Sequence, residues 1–441
     1  MKLQSEVRAD AIIKDGQYYI LDSFVSKNET YAAIENLIFQ GIEDIAGVQC
    51  RKAVENSGLR KMHEHFPVDS EFQLYKYLQT KASNLIIKLT HDVAREELGI
   101  EGEFYIDKDV PIRIHYPLAI ARKSKFSFEK SIVYGQSPLR TIINKVKTRL
   151  SAQKTASIKL NKAYHKNLPQ PAWSHGPHKD TWFGHSYDGI NLWWSITGVN
   201  EHSGLVLYPG TFGVDMAYEH EPPYVAAGVP LPKPVKISLQ DGSLLLFNPE
   251  MLHSTHVNTS DETRIVVSPR LNPKAPTFSE VESMHADRKY FWISSLDVEK
   301  GIFDNAVVFP RDEYMGEPKL LKDTAKLTKP LSIKVKQPLK RDVSIDVGES
   351  SLLKVGDKML VEFSNNVEVI VVRNAKGLQA LAARCPHVGI NLIDGYHDDN
   401  AIFCPGHGLK FDLETGKSSC NAFSSRHYNV FEKSDRIFVG M

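Results

Sequence analysis

Apolar positions recur at three- and four-residue spacing in two early stretches, residues 28–48 and 70–98. In the second, Leu74, Tyr77, Leu78, Ala82, Leu85, Ile86 and Leu89 share one helical face. Both stretches are expected to be helices that bury one side. Residues 103–121 read as extended. From 186 to 270 the period changes. Short apolar runs alternate with turn residues, as in Asn191–Ile196, Leu205–Tyr208, Ser243–Phe247 and Arg264–Ser268. That density of short strands predicts a double-sheet barrel or jelly roll. Residues 311–342 are lysine-rich and broken by Pro318, Pro330 and Pro338, as in a linker or a surface strap. Strands resume at Lys358–Phe363 and Val367–Val372. The expected class is α+β and multidomain: a strand-rich core with flanking helices over 1–310, a linker over 311–342, and a small all-β domain over 343–441.

Composition changes this picture little. The chain has 441 residues, 42% of them hydrophobic and 24% charged, with a formal net charge of +1. Two or three domains fit that length. No apolar run approaches the roughly 18 residues of a membrane span, and the start shows no apolar signal core, so a cytoplasmic protein is expected. Of four cysteines, Cys50 and Cys420 stand apart and make no disulfide framework. One charge asymmetry does alter the reading. Between Arg122 and Lys166 basic residues are opposed by the single acid Glu129. The plain reading is a solvated face. The sharper one is a rim that attracts an anionic small-molecule substrate. No motif for nucleic acid accompanies the charge.

Candidate chemistry is concentrated in two places. Near the C-terminus Cys385-Pro386-His387 is followed, after sixteen intervening residues, by Cys404-Pro405-Gly406-His407. Pro386, Gly389, Pro405, Gly406 and Gly408 put each pair on its own loop. Two thiolates and two imidazoles can divide between two irons, thiolates on one and imidazoles on the other. Such ligation gives a [2Fe–2S] centre with a potential of roughly −150 to +300 mV. A Cys₂His₂ zinc site is the alternative, although zinc-finger spacing groups cysteine with cysteine. With Cys385-Pro-His-Val-Gly, Cys404-Pro-Gly-His-Gly, Phe411-Asp412 and Thr415-Gly416, the segment resembles the soluble Rieske ferredoxin family. High-potential members carry a disulfide between the two loops. Ile390 and Gly406 stand at the matching positions, which implies the ferredoxin-like branch.

The second place is His178-Lys179-Asp180, with Leu252-His253-Ser254 far downstream and Arg264 eleven residues beyond His253. Two imidazoles and one carboxylate can occupy one face of an iron and leave three positions open, as in non-haem Fe(II) oxygenases. On an extended segment His178 and Asp180 point one way and Lys179 the other. His256 competes with His253 for the distal position. His175 and His185 read as pocket or surface histidines, and Trp182, Phe183 and Trp193 as core or pocket wall.

In order along the chain stand His178-Lys-Asp, Asn191-Leu-Trp-Trp-Ser-Ile, Glu201-His-Ser-Gly-Leu-Val-Leu-Tyr-Pro-Gly-Thr, Asp241-Gly-Ser-Leu-Leu-Leu-Phe and Leu252-His-Ser, then Asn258-Thr-Ser and Arg264. Over roughly 100–275 this string resembles the phytanoyl-CoA dioxygenase-like Fe(II)/2-oxoglutarate oxygenases. The resemblance implies a double-stranded β-helix (jelly-roll, cupin-like) core, a mononuclear Fe(II) and 2-oxoglutarate. It places His178, Asp180 and His253 as iron ligands and Arg264 at the distal carboxylate of 2-oxoglutarate. It also puts Trp194 in the wall of the co-substrate pocket. Related halogenases lack the carboxylate ligand, so Asp180 favours oxidation.

Together the two halves suggest a dioxygenase whose Rieske domain supplies electrons to the iron, fed by a reductase or ferredoxin. Two other readings remain open at this point. One is an oxygenase driven through the cluster without 2-oxoglutarate. The other is a redox carrier or sensor whose oxygenase fold has become a binding module.

Overall fold

The computed structural model describes residues 2–22, 24, 27–121, 123, 174–219, 223–278, 290–311, 313–315, 323–324, 330–387, 389–418 and 423–441. Apart from Lys123, the basic stretch from Arg122 to Lys166 lies outside the described residues, as does Cys420.

The barrel is built on one eight-residue strand, Ile190–Thr197, buried at every position. It pairs antiparallel with Leu244–Phe247 on one side and with Arg264–Val267 and Arg270–Asn272 on the other. Tyr19–Leu21, Tyr105–Asp107, Ile112–His115, Trp292–Ser294 and Ala306–Val307 complete this large sheet. A smaller sheet, Val235–Lys236, Leu205–Leu207 and His253–Thr255, faces it.

Strand alternation explains why the central strand is buried throughout. Leu192, Trp194 and Ile196, with Leu244, Leu246, Ile265 and Val267, turn outward into a core shared with the helices. Trp193, Leu245, Phe247 and Val266 turn inward and share a core with Leu205 and Leu207 of the smaller sheet and with Ile237 and Met251 beside it. The helices that cover the outer face are Lys27–Ala46, Val48–Ser57, Glu71–Lys81 and Ser83–Glu96. Each buried aliphatic side chain in these layers contributes about 1.5–3 kcal/mol.

The helical stretch expected over 70–98 is two helices, divided at Ala82. There the Ser83 hydroxyl bonds back to Gln79 O at 2.5 Å, a local contact that competes with continuation of the helix. The extended reading of 103–121 holds for Tyr105–Asp107 and Ile112–His115, after which Leu118–Ala121 forms a helical turn. The double-sheet barrel and the all-β C-terminal domain are as expected.

The C-terminal domain stacks a four-stranded sheet (Leu331–Val335, Lys358–Phe363, Glu368–Asn374, Gly377–Ala382) on a three-stranded one (Ile345–Glu349, Arg436–Gly440, Asn429–Lys433). Residues 311–342, read as a linker or a surface strap, are paired with both halves of the chain where they are described. Leu331–Val335 pairs in parallel with Lys358–Phe363, and Leu339 is buried in the same core. Asp323–Thr324 pairs in parallel with Val214–Asp215 of the barrel. The apolar face Leu331, Ile333, Val335 packs on the second sheet's core. That strand pattern sits within the lysine-rich run read as a linker or a surface strap.

Candidate metal centres

His178, Asp180 and His253 come together between the two sheets, all three buried, with one ligand atom from each lying within 4.8 Å of the others. Backbone pairing puts them there. His178 N donates to His253 O at 2.9 Å and His253 N to His178 O at 3.0 Å. Asp180 N donates to Pro249 O, and a 3₁₀ turn then runs from Asp180 to Phe183. Gly184, at φ 87°, closes that turn in a left-handed conformation that a side chain disfavours.

Each imidazole is oriented by a carbonyl behind it. His178 Nδ1 lies 2.7 Å from Gly176 O and His253 Nδ1 2.8 Å from Met251 O. Both Nε2 atoms thereby face Asp180 Oδ1, at 3.5 and 3.7 Å. The second carboxylate oxygen is held from outside. Asn191 Nδ2 donates to Oδ2 at 2.8 Å, and Arg270 donates from Nε at 3.3 Å and from a terminal nitrogen at 3.2 Å. Burial opposes the charge on Asp180, but Arg270 and the surrounding imidazoles overcome it and hold the carboxyl well below the usual range. Burial, with His178 beside it, lowers His253 to about 4, so it is a neutral donor at ordinary pH. Two imidazoles and a carboxylate with one oxygen tied back are the donor set that a divalent iron takes.

Lys179 points the other way, as alternation requires. Its ammonium is buried against Glu250 Oε2 at 2.9 Å and Val214 O at 2.8 Å. Removing one partner of such a buried pair costs about 3–5 kcal/mol. His256 lies across the strand from the cluster of ligands, with Nδ1 2.5 Å from Val257 O and Nε2 3.4 Å from Lys236 Nζ. His175 lies beside His178, ring centroids 5.5 Å apart, and meets the Tyr224 hydroxyl at 3.1 Å. His185 meets the Tyr290 ring at a tilt, centroids 4.4 Å apart.

Arg264 is fully buried. One terminal nitrogen donates to Ser203 O, while Nε and the other terminal nitrogen have no hydrogen-bond partner. Burial, then the nearby Arg113 charge, lowers its pKa to about 9. A buried guanidinium with two unmet donors fits a carboxylate guest. Asn191 Oδ1 and Ser195 Oγ, on the inward face of the central strand, are also buried without partners.

Trp194 does not share this space. Its indole donates to Gly242 O at 3.0 Å and its ring meets Tyr31 edge-on in the helical core. Trp193, one residue earlier and on the inward face, is the ring that lies 5.7 Å from the Arg264 guanidinium. The pocket-wall expectation therefore moves from Trp194 to Trp193, by the period of the strand alone. Asn191 and Arg270 were not singled out as contacts of Asp180. For Asn191 the signal was present, since it shares strand parity with Trp193. Nothing near Arg270 in the sequence marked it.

In the C-terminal domain two loops repeat one backbone pattern. Cys385 N donates to Ile390 O and Gly389 N to Cys385 O. In the second loop Cys404 N donates to Leu409 O and Gly408 N to Cys404 O. Cys385 and Cys404 are buried and in no disulfide. A hydrogen bond with Cys385 lowers the Cys404 thiol, helped by the Gly406 and His407 amides and opposed by burial. The His387 and His407 rings lie 5.0 Å apart. Burial, with His387 beside it, lowers His407 to about 3, and its Nδ1 has no partner. Thiols on one side, imidazoles on the other and a buried, unmet ring nitrogen fit a [2Fe–2S] cluster. At Gly406 a Cβ would stand 2.2 Å from Ile390 Cδ1, so the space of an inter-loop disulfide is filled by an aliphatic chain.

Comparison with known proteins agrees with both halves. Residues 119–266 match the phytanoyl-CoA dioxygenase (PhyH) family, and residues 344–428 match the Rieske [2Fe–2S] domain. The chain is a PhyH-type domain fused to a C-terminal Rieske domain. These families imply Fe(II) with 2-oxoglutarate in the first and a [2Fe–2S] cluster in the second. The iron–sulfur subunit of the cytochrome b6-f complex from Chlorobaculum thiosulfatiphilum is 36% identical over 99 residues, 22% of this chain and 52% of that one. The chain thus spans about half the length of that curated relative. Among solved structures, the ferredoxin of carbazole 1,9a-dioxygenase from Nocardioides aromaticivorans IC177 is similar at 27% identity and TM-score 0.21, covering 22% of this chain and 98% of its own. The Sphingomonas yanoikuyae B1 ferredoxin is similar at 22% identity and TM-score 0.21, covering 22% and 99%. Among the described residues no helix is long and apolar enough to cross a membrane.

Proposed function

We propose that this chain is an oxygenase with Rieske electron transfer, a reading supported by its PhyH and Rieske family matches. We propose, more specifically, that it oxidises a small molecule with O₂ and 2-oxoglutarate, most simply by hydroxylation, while the Rieske domain supplies electrons to the mononuclear iron. His178, Asp180 and His253 are the iron ligands in this reading. Cys385, His387, Cys404 and His407 hold the cluster. The observation that carries the 2-oxoglutarate part is Arg264, a fully buried guanidinium with Nε and one terminal nitrogen unmet.

When bound, the iron supplies the activation of O₂. The protein residues do the rest. Gly176 O and Met251 O fix the two imidazoles, and Asn191 and Arg270 hold the outer oxygen of Asp180 so that the inner one faces the metal. Arg264 orients the co-substrate by its distal carboxylate, in a pocket where Trp193 excludes water. The substrate is a small molecule. A reductase or ferredoxin replenishes the cluster.

The test is anaerobic reconstitution with Fe(II), followed by O₂ and 2-oxoglutarate. Succinate formed in step with substrate oxidation supports the proposal. Substrate oxidation with no succinate, driven by a reduced cluster alone, would replace it with the reading that omits 2-oxoglutarate. The packing of the cluster loop directly on the barrel, described next, is the observation that keeps that second reading in play.

A further inference from the structure

The cluster loops pack against the barrel of their own chain, on the side that carries the histidine site. A Cβ at Gly408, whose φ is 68°, would stand 2.9 Å from Val206 Cγ2 and 3.6 Å from His256 Cδ2. His256 is three residues from His253. The neighbouring His407 imidazole faces the Ser174 backbone of the oxygenase half. Ser174 is joined by one peptide bond to His175, whose ring lies against His178. The carbonyl of His175 accepts from Thr255 N at 2.9 Å, on the His253 strand.

This contact is anchored at its rim. Leu231 N donates to Asp394 O at 3.2 Å. Leu118 and Val257 of the oxygenase half are buried in the same apolar cluster as Ile370, Leu381, Leu392 and Phe411 of the Rieske half. Leu118 N in turn donates to Asn258 O at 2.8 Å, tying both apolar contacts to the segment after His253. Backbone contacts and buried aliphatics of this kind hold one relative position; they do not describe a domain that samples many.

We propose that this contact is an electron-transfer junction within a single chain, with the Gly408 approach to Val206 and His256 and the His175 ring beside His178 marking the path from the cluster loop to the histidine site. The inference rests on the reading that the Rieske domain supplies electrons to the iron, and it names the route. The step moves one electron and no atoms. The reduced cluster, one ferrous and one ferric ion, becomes diferric, and a ferric ion held by His178, Asp180 and His253 becomes ferrous. The electron is restored by an external one-electron donor of the flavoprotein or ferredoxin type.

The geometry explains why Gly408 is a glycine twice over. Its φ favours one, and the approach to Val206 leaves no room for a Cβ. It also explains a loop whose outer face meets apolar side chains where a freely diffusing carrier would show solvent-facing groups.

The test uses holoprotein and reads the metals, not turnover. Full-length chains loaded with ferric iron are flash-reduced at the cluster by a photoexcited flavin under argon. Loss of the ferric EPR signal is followed at several protein concentrations. In parallel, Asp180→Ala chains carrying a reduced cluster are mixed with Cys385→Ser chains carrying ferric iron. The junction predicts a first-order rate in the wild type that does not change with concentration. In the mixed pair it predicts a rate about 100-fold slower at roughly 10 µM chains, because tethering sets an effective concentration on the order of 1 mM. Gly408→Val should slow the intrachain step with both metal contents unchanged. Should that loop lose its cluster, Val206→Phe wedges the same contact from the barrel side. A wild-type rate proportional to concentration, or a mixed pair as fast as wild type, overturns the junction while leaving electron supply intact. No reduction of the ferric ion in either experiment overturns the supply itself.

Discussion

The two candidate metal centres, with the ligands proposed for them, are built by opposite means. The histidine–carboxylate site draws its ligands from segments distant in sequence, and sheet pairing holds them: His178 and His253 face each other across a two-way backbone bridge. The cluster site draws all four ligands from two neighbouring loops, each closed by its own hydrogen bonds. In the first, the fold makes the site. In the second, local turns make it and the surrounding sheets carry it. One consequence is that damage to either donor set should leave the other site's metal binding intact, and the sharpest experiments are those that try to make it spread.

The largest effect is expected from Asp180→Ala. It should abolish mononuclear iron binding and substrate oxidation while the cluster keeps its Rieske-type EPR spectrum. A cluster lost along with the iron would show that the two sites are not separately built. His407→Cys or Cys404→Ser is the converse, and should remove the Rieske spectrum while about one iron per chain remains at the other site. Expressed wild type that returned zinc without sulfide would overturn the cluster assignment.

A smaller effect sharpens the contrast inside the barrel. Arg264→Ala should weaken 2-oxoglutarate binding by about 1.5–3 kcal/mol, the range for hydrogen bonds to charged groups, with iron affinity nearly unchanged. Arg270→Gln should do the reverse. It leaves Asp180 Oδ2 without its ion pair, and iron affinity should fall about 10–100-fold, the usual penalty for losing an outer partner of a ligand. Equilibrium dialysis with each ligand separates the two. Identical profiles would mean that the arginines do not divide the work.

The smallest effect lies in the helical layer and concerns pH. Glu71 is buried, its Oε1 has no partner, and burial pushes it up to about 8 from an ordinary value near 4.5. The folded protein therefore keeps a proton that the unfolded chain has lost, and stability falls as pH rises through that window. At about 1.4 kcal/mol per pKa unit the shift amounts to a few kcal/mol at most. Glu71→Gln should flatten the slope of denaturation midpoint against pH between about 5 and 8. An unchanged slope would mean that another group titrates there.

The contrast between the sites also explains what was legible in the sequence. Cys385 to His407 is short-range information, and loop-breaking residues around each pair show where the ligands stand. His178, Asp180 and His253 are a weak pattern alone and become strong only through ordered motifs from Asn191 to Arg264. Strand parity separated Lys179 from its neighbours correctly, and the same parity assigns Trp193 inward and Trp194 outward. A family resemblance had pointed to Trp194, and the alternation of the strand corrects it. Arg270 was not legible, because its role arises from sheet register. The pairing of Leu331–Val335 was masked by the lysines on its exposed face, at Lys334 and Lys336.

The parallel pairing of Asp323–Thr324 with Val214–Asp215 has a consequence for how the molecule comes apart. Val214 O also holds Lys179, the residue between two of the candidate iron ligands. The segment that leads into the Rieske domain is thus stitched to the backbone that grips the histidine loop, and Leu118 and Val257 are stitched to the Rieske core. Two lobes so joined lose their independence in unfolding: opening one strips apolar cover from the other and loosens its grip on Lys179. Heat or denaturant should then meet a single cooperative unit, so that loss of the cluster leaves the histidine site's ligands in place yet lowers the resistance to unfolding of the barrel packed against it.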